Sequence, residues 1–97
     1  MPTYIVLMKL TEQGIKTIKH GPQRVKENAK IMEKMGGKMT AFYLTMGEYD
    51  YVGIGEAPND EAALTFLLGM GAQGFVKTTT LKAFTVEEFE KITKNLP

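Results

Sequence analysis

The chain has 97 residues, of which 12 are basic and 11 acidic, so its net charge is +1. A balance this close to neutral gives no electrostatic footprint for nucleic acid and no polybasic patch for a membrane surface. The sequence has no cysteine, which excludes disulfides, iron–sulfur clusters and thiolate zinc sites, and its length predicts a single domain over residues 1–97.

The first predicted strand runs from Tyr4 to Leu10 and is apolar at almost every position. Strands of this kind are usually covered on both faces, so we expect both faces of this one to be buried. The apolar run is far too short for a signal peptide or a membrane span, and no basic segment precedes it, so we expect a cytoplasmic protein. The next residues, Thr11–Gly14, are predicted to form a polar loop.

An amphipathic helix is predicted from about Pro22 to Met35. Proline suits the first turn of a helix, and Gly36–Gly37 supplies a left-handed stop. The apolar residues of this helix recur at three- and four-residue steps, at Val25, Ala29, Met32 and Met35. The only histidine, His20, precedes the helix and is expected to face solvent, and one histidine without cysteine cannot form a multi-histidine metal site within a chain.

The middle of the chain predicts an antiparallel hairpin. Strands at Lys38–Thr45 and Tyr51–Glu56 are joined by the short connection Met46–Asp50, which leaves no room for a crossover. Gly53 and Gly55 lie two residues apart in the third strand and therefore on one of its faces. Glycine inside a strand predicts a bulge or the close approach of another group.

The last third of the chain predicts two more helices and a fourth strand. The segment Ala57–Asp60 is predicted to end the strand and to provide the N-cap of the next helix. The helix that follows, Glu61–Met70, is apolar nearly all round, which predicts that it is heavily buried. A strand at Phe75–Ala83 comes next, and a capping box that begins at Thr85 opens a short final helix, about Val86–Lys94.

The element order β-α-β-β-α-β, followed by a C-terminal helix, predicts an α+β fold of the ferredoxin-like sandwich type. Right-handed crossovers then place both long helices on one face of a four-stranded antiparallel sheet in the spatial order 4-1-3-2. The strands nevertheless carry apolar residues toward both faces. In the first strand, Tyr4, Val6, Met8 and Leu10 lie on one face and Ile5 and Leu7 on the other. In the second strand, Phe42 and Leu44 lie opposite Met39, Ala41 and Tyr43, and in the third, Val52 and Ile54 lie opposite Tyr51.

The sheet face that the helices leave open would therefore expose a contiguous apolar patch, which usually marks an interface. We expect a second copy of the chain to cover it, in a homodimer packed sheet to sheet with about 800 Å² buried on each partner, or in a larger assembly of such dimers. The alternative is that the C-terminal helix folds back over the open face.

Gly47, Tyr49 and Asp50 stand in the hairpin connection, and this stretch resembles the GYD domain family. The resemblance extends to other segments in the same order, namely Thr11–Ile15, Gly36–Lys38, Glu56–Ala62 and Leu81–Thr85. It implies the dimeric α/β-barrel group, which agrees with a sheet-to-sheet homodimer. Neighbouring families in that group include cofactor-independent monooxygenases, muconolactone isomerases, haem-dependent enzymes and stress-responsive barrels, so the resemblance implies no single activity.

The motif has two interpretations. In the structural one, Gly47 supplies a positive φ, Asp50 accepts hydrogen bonds from N–H groups of the turn, and Tyr49 buries its ring near the rim. In the functional one, Tyr49 and Asp50 lie at the mouth of a pocket as hydrogen-bond donor and general base. Tyr43 and Tyr51 are further candidates for catalytic polar groups.

Two functions follow from these observations. The first is a small homo-oligomeric binding or accessory protein with an apolar cleft for a small apolar ligand. The alternative is a cofactor-independent enzyme of the monooxygenase or isomerase type that acts on a small organic substrate. Neither predicts a cofactor, a metal, a nucleic acid or a membrane as a partner.

Overall fold

The computed structural model describes every residue from Met1 to Pro97. Its elements follow one another as β1 (Thr3–Leu10), α1 (Glu12–Lys16), a 3-10 turn (Ile18–His20), α2 (Gly21–Lys34), β2 (Lys38–Leu44), β3 (Tyr51–Glu56), α3 (Asp60–Ala72), β4 (Val76–Ala83) and α4 (Val86–Lys94). The strands form one sheet in the order β2-β3-β1-β4, which reads 4-1-3-2 from the other edge, and every neighbouring pair is antiparallel. The predicted α+β class with a four-stranded antiparallel sheet is confirmed. No helix combines the length and the apolar character that crossing a membrane would need.

The core lies between one face of the sheet and the helices α2 and α3. Its buried side chains come from alternate positions of β1, from the start of β3 and from one side of α3: Val6, Met8, Tyr51, Phe66, Leu67 and Met70. Only 13 of the 97 residues are buried, so the core is thin for a chain of this length. The other face of β1 is half-exposed in the single chain, so the expected cover of this face would have to come from outside the chain.

The helix α3 is less buried than its composition predicts. Leu64 and Leu68, which lie one turn apart, are 57% and 73% exposed. The reason is geometric: the sheet lies on one side of α3 only, and no other layer covers its outer side. The helix also continues past the predicted end at Met70, through Gly71 to Ala72.

A bulge changes the predicted alternation of β2. The pairing with β3 shifts between Met39 and Ala41, so Met39 faces Gly55 while Phe42 faces Gly53. The extra residue places Met39 and Phe42 on the helix side of the sheet together, whereas simple alternation predicts opposite sides. The expected close approach at the β3 glycines is confirmed, because a Cβ at Gly55 would lie 2.8 Å from the Met32 methyl carbon.

The segment predicted as a polar loop after β1 contains a short helix instead. The Thr11 hydroxyl accepts a hydrogen bond from the Gly14 N–H at 3.0 Å and donates one to the Gly74 carbonyl at 2.6 Å. Gly14 is buried so closely against the Phe75 carbonyl that a Cβ would meet it at 2.1 Å. This contact involves Phe75, which lies 61 positions further along the chain, so the local sequence does not indicate it.

The final helix α4 begins at the predicted capping box. The Thr85 hydroxyl accepts from the Glu88 N–H at 3.1 Å, and the Glu88 carboxylate accepts from the Thr85 N–H at 2.9 Å. Every residue of α4 is exposed, including the apolar Val86, Phe89 and Ile92. The alternative in which this helix covers the open sheet face is therefore wrong.

Candidate functional site

The hairpin connection Met46–Asp50 is closed by short hydrogen bonds. Gly47 adopts a φ of 111°, the positive value that favours glycine, as predicted. The Thr45 hydroxyl donates to the Tyr49 carbonyl at 2.6 Å, and the Thr45 N–H donates to the Asp50 carbonyl at 2.8 Å. The connection is thus a defined loop on which the side chains of the motif have fixed positions.

The Asp50 side chain ties this loop to the end of β1. Its carboxylate accepts a hydrogen bond from the Leu10 N–H at 2.8 Å, and its own N–H donates to the Met8 carbonyl at 2.8 Å. The predicted acceptor role is present, but the donor is a strand N–H forty residues away rather than an N–H of the turn. Asp50 therefore extends the pairing between β1 and the loop that leads into β3.

Two of the other candidate catalytic residues, Tyr49 and Tyr43, lie toward the open face of the sheet. The Lys9 ammonium is 5.4 Å from the centre of the Tyr49 ring, and its nitrogen is 3.8 Å from a carboxylate oxygen of Glu48. Tyr43 pairs with Val52 across the hairpin, and its side chain is 60% exposed. These two rings are not brought together with the Asp50 carboxylate in one enclosed pocket.

A cleft of about 450 Å³ lies on the opposite side of the sheet, between the start of α2 and the strands β2 and β3. We call it the α2 cleft; its residues are Ile18, Gly21, Pro22, Val25, Lys26, Phe42, Leu44 and Tyr51. A narrow inner end of about 40 Å³ shares four of these residues and adds Leu10, Arg24, Asn28, Met70, Gln73, Phe75 and Val76. Most of these side chains are apolar, and none is acidic.

Tyr51 is the polar group at the floor of the α2 cleft. Its side chain is 8% exposed, and its hydroxyl makes no hydrogen bond within the protein. The hydroxyl oxygen lies against Gly21, where a Cβ would be 3.0 Å away. Of the tyrosines that the sequence offers as candidates, Tyr51 is the one that the fold turns into a concave site.

Lys26 lines the α2 cleft and Arg24 lines its narrow inner end, so each part carries one positively charged side chain. The Arg24 guanidinium stacks over the Phe75 ring at 3.6 Å and donates to the Thr17 carbonyl at 3.2 Å and the Thr17 hydroxyl at 2.9 Å. Sequence reasoning missed Arg24, because the helical pattern marks it only as a solvated residue of α2. The sequence signal that points to this region is Gly21–Pro22 at the start of the helix, facing the residue that follows the motif.

A second polar cluster, also missed from the sequence, joins α3 to the sheet at its other end. The Tyr4 hydroxyl donates to the Asp60 carboxylate at 2.5 Å, and the Lys82 ammonium lies 3.0 Å from the same oxygen. The hydrogen bond to Asp60, together with burial and the neighbouring negative charge, raises the pKa of Tyr4 to about 12. The hydrogen bonds from Tyr4 and Lys82 hold the pKa of the Asp60 carboxyl below its usual range. All three groups are partnered, so the cluster fastens the start of α3.

His20 is exposed and lies at the end of the 3-10 turn, directly before α2, as predicted. It is the only histidine in the chain. No group of three or more histidine, cysteine, aspartate or glutamate side chains is arranged so that it could hold a metal ion.

The pattern of the GYD domain family matches residues 4–93, and the chain belongs to this family. A protein from Thermus thermophilus, described as a glutamine synthetase and cystathionine beta-lyase binding protein, is 37% identical to the chain over 89 residues. The match covers 91% of this chain and 94% of that protein, so the likeness extends over essentially the whole of both. No solved structure matches the chain.

Proposed function

We propose that the chain is a small accessory protein that self-associates through its open sheet face and binds metabolic enzymes. The observation that carries the proposal is the Thermus thermophilus relative, which is 37% identical over 91% of the chain and is described as binding glutamine synthetase and cystathionine beta-lyase. Enzymes of these two kinds are the partners that we expect here. We expect the protein to act in the cytoplasm, where it would meet such enzymes.

The open face of the sheet has the composition of an interface centre. The register aligns two rows across the four strands. Leu81, Ile5, Ile54 and Ala41 form an apolar row, and Thr79, Leu7, Val52 and Tyr43 form a mixed row with an apolar centre. Charged residues flank these rows, with Glu56 and Lys38 at one end and Lys9 and Lys77 at the other. An apolar centre with a polar rim is typical of a protein interface.

The surface area of the chain also supports a partner. The single chain exposes 6819 Å², whereas a monomeric protein of this mass exposes about 5,500 Å². The excess is larger than the roughly 800 Å² that each partner buries in a standard interface. A homodimer of two ferredoxin-like sandwiches, packed sheet to sheet as a dimeric α/β barrel with the α4 helices reaching across, would bury surface of this extent.

The enzyme partner needs a different surface, because self-association uses the open face of the sheet. Leu64 and Leu68 form an apolar stripe on the outer side of α3, away from the sheet. Apolar anchors at positions i and i+4 of a helix are a common way to dock on a partner groove. We therefore assign the enzyme contact to this stripe.

The alternative, a cofactor-independent enzyme, has less support. The Asp50 carboxylate already accepts a strand N–H, and Tyr43 and Tyr51 belong to opposite faces of the sheet. A general base needs to reach a substrate proton together with its partner groups, and these three side chains share no pocket.

Binding can be measured by biolayer interferometry, with the purified chain against glutamine synthetase and cystathionine beta-lyase from the same organism. We expect at least one enzyme to bind, and Leu64→Glu with Leu68→Glu to weaken that binding at least tenfold. Ile15→Glu is the matched control, since it also places a carboxylate at an exposed apolar position but on α1, and it should bind as the wild type does. Failure of both enzymes to bind the wild-type chain would contradict the proposal.

A further inference from the structure

The hydroxyl of Tyr51 makes no hydrogen bond within the chain, although the residue as a whole is buried. The side chain is 8% exposed, and the oxygen opens into the α2 cleft beside Gly21 rather than onto a donor or acceptor of the chain. Every buried side-chain oxygen and nitrogen of the chain has a hydrogen-bond partner, so the unpartnered Tyr51 hydroxyl is open to water in the cleft. A hydroxyl left free at the floor of a cleft is therefore available to a ligand.

The side chains that line the α2 cleft favour a ligand whose main part is apolar. Val25, Phe42 and Leu44 present aliphatic and aromatic surface on either side of the Tyr51 hydroxyl, and the volume of about 450 Å³ lies within the usual range for small-molecule sites. A compact apolar body, such as a substituted benzene ring or a branched alkyl chain, would remove this surface from water. A strongly polar molecule would leave its own groups unpaired against these walls.

The charges around the cleft decide what polar group the ligand carries. Lys26 lines the cleft, Arg24 lines its narrow inner end, and no aspartate or glutamate lines either part. The start of α2, at Gly21 and Pro22, adds the positive end of the helix dipole. The two hydrogen bonds that Arg24 makes to Thr17 occupy only part of its donor set. All of these features favour an anion, and the Tyr51 hydroxyl can donate to one.

We infer that the α2 cleft is a binding site for a small apolar monocarboxylate, whose carboxylate accepts a hydrogen bond from the Tyr51 hydroxyl in a cleft lined by Lys26 and, at its inner end, by Arg24. The inference rests on the apolar cleft of the proposed accessory protein and is independent of its enzyme partner. The site requires only residues of one chain.

The test is a titration of the isotope-labelled full chain with 4-methylbenzoate, followed by NMR chemical shifts. Its neutral isostere 4-methylbenzamide serves as the comparison probe. We expect 4-methylbenzoate to shift resonances of Val25, Phe42 and Tyr51 and to bind at least tenfold more tightly than the amide. Equal binding of the two probes would overturn the carboxylate assignment, and no shift at these residues with several millimolar 4-methylbenzoate would overturn the site.

Variants then test the role of Tyr51. Tyr51→Phe keeps the ring that packs in the core and removes only the hydroxyl, so we expect it to weaken 4-methylbenzoate binding about tenfold, the usual effect of losing one hydrogen bond to a charged group. Gly21→Ala, which places a methyl group 3.0 Å from the Tyr51 oxygen, should weaken binding as well. Tyr4→Phe is the matched control, because it removes a buried hydroxyl outside the cleft and should leave the affinity unchanged.

The outcomes separate this inference from the proposed function. Unchanged affinity in Tyr51→Phe would refute the role of the hydroxyl, whatever the enzyme-binding experiment shows. Conversely, 4-methylbenzoate binding with no capture of either enzyme would leave the cleft assignment standing and remove the enzyme partner.

Discussion

At the scale of single residues, Asp50 links the hairpin connection to β1 by two hydrogen bonds. Replacement of Asp50 by alanine leaves the Leu10 N–H without its charged acceptor and should lower the free energy of unfolding by about 1–2 kcal/mol. Asp50→Asn should cost less, since the amide oxygen can still accept the bond. Urea unfolding followed by circular dichroism measures both values.

The control for Asp50 is its neighbour Glu48 on the same connection. The nearest oxygen of Glu48 is 3.8 Å from the Lys9 ammonium, and both side chains are largely exposed, so Glu48→Gln should change stability by less than about 0.5 kcal/mol. If Asp50→Ala unfolds at the same urea concentration as the wild type, the stabilising role of the Asp50 carboxylate is refuted. Under the enzyme alternative, Asp50→Asn would instead abolish a turnover without a matching loss of stability.

The pair of Tyr4 and Asp60 predicts how stability depends on pH. The pKa of Tyr4 is raised from 10.0 to about 12, so the folded state favours the protonated phenol; its contribution is complete below pH 10 and is lost as the pH rises through 12. The pKa of Asp60 is lowered, so its contribution is present above the usual aspartate value of about 4 and is lost as the pH falls through the folded value.

Thermal melts of the wild type and Tyr4→Phe across pH test this pair. The difference in melting temperature should be constant from about pH 5 to 9, because the phenol is protonated and the carboxylate ionised throughout that range. It should shrink toward both extremes of pH. A difference that does not vary with pH would show that the hydroxyl and the carboxylate are not coupled in solution.

The residue-level features that the sequence predicted are those with local causes. The positive φ of Gly47, the left-handed Gly36 after α2 and the capping box at Thr85 each depend on a few neighbouring residues. The partners of Asp50 and Tyr4 are 40 and 56 positions away, so no local pattern indicates them. Tyr51 was a candidate, but its free hydroxyl appears only once α2 is packed over it.

At the scale of elements, the glycines of α1 and α3 differ in how closely other atoms pack against them. Gly14 is pressed against the Phe75 carbonyl, where a Cβ would lie 2.1 Å away, whereas Gly69 and Gly71 in α3 have open space around them. Gly14→Ala should push α1 off the end of the sheet and destabilise the protein by more than about 2 kcal/mol.

Gly69→Ala and Gly71→Ala should each stabilise the protein by about 0.5–1 kcal/mol, because alanine is the better helix former and nothing obstructs its methyl group. Denaturant midpoints of the three single variants give the comparison. A gain of stability in Gly14→Ala, or a loss of more than 1 kcal/mol in both α3 variants, would contradict the packing described for these helices.

The bounds of the elements with a clear sequence pattern were predicted almost to the residue, whereas the packing and solvent exposure of their side chains were not. The bounds of β3 and α4 agree with the sequence prediction, since glycine, proline and capping residues delimit them. The bulge in β2 and the exposure of Leu64 and Leu68 depend on how strands and layers meet, and composition carries no information on that. The short helix α1 was missed because its stability comes from a contact with Phe75.

The whole molecule is extended for its length, with a radius of gyration of 14.7 Å against the roughly 12.5 Å expected for 97 compact residues. The α4 helix, all of whose residues are exposed, and the bare sheet face both contribute surface that a single chain does not cover. The apolar character of the open face was predicted from the sequence, whereas the register of its rows was not; we propose that a second copy of the chain covers this face.

The central claim is that a second copy of the chain covers this face. Size-exclusion chromatography with multi-angle light scattering at micromolar concentration measures it directly. We predict at least twice the chain mass of 10.8 kDa for the wild type and for Leu64→Lys on α3, and a shift to 10.8 kDa for Leu7→Lys in the middle of the open face. A wild-type chain that remains a stable 10.8 kDa species under these conditions would contradict the account.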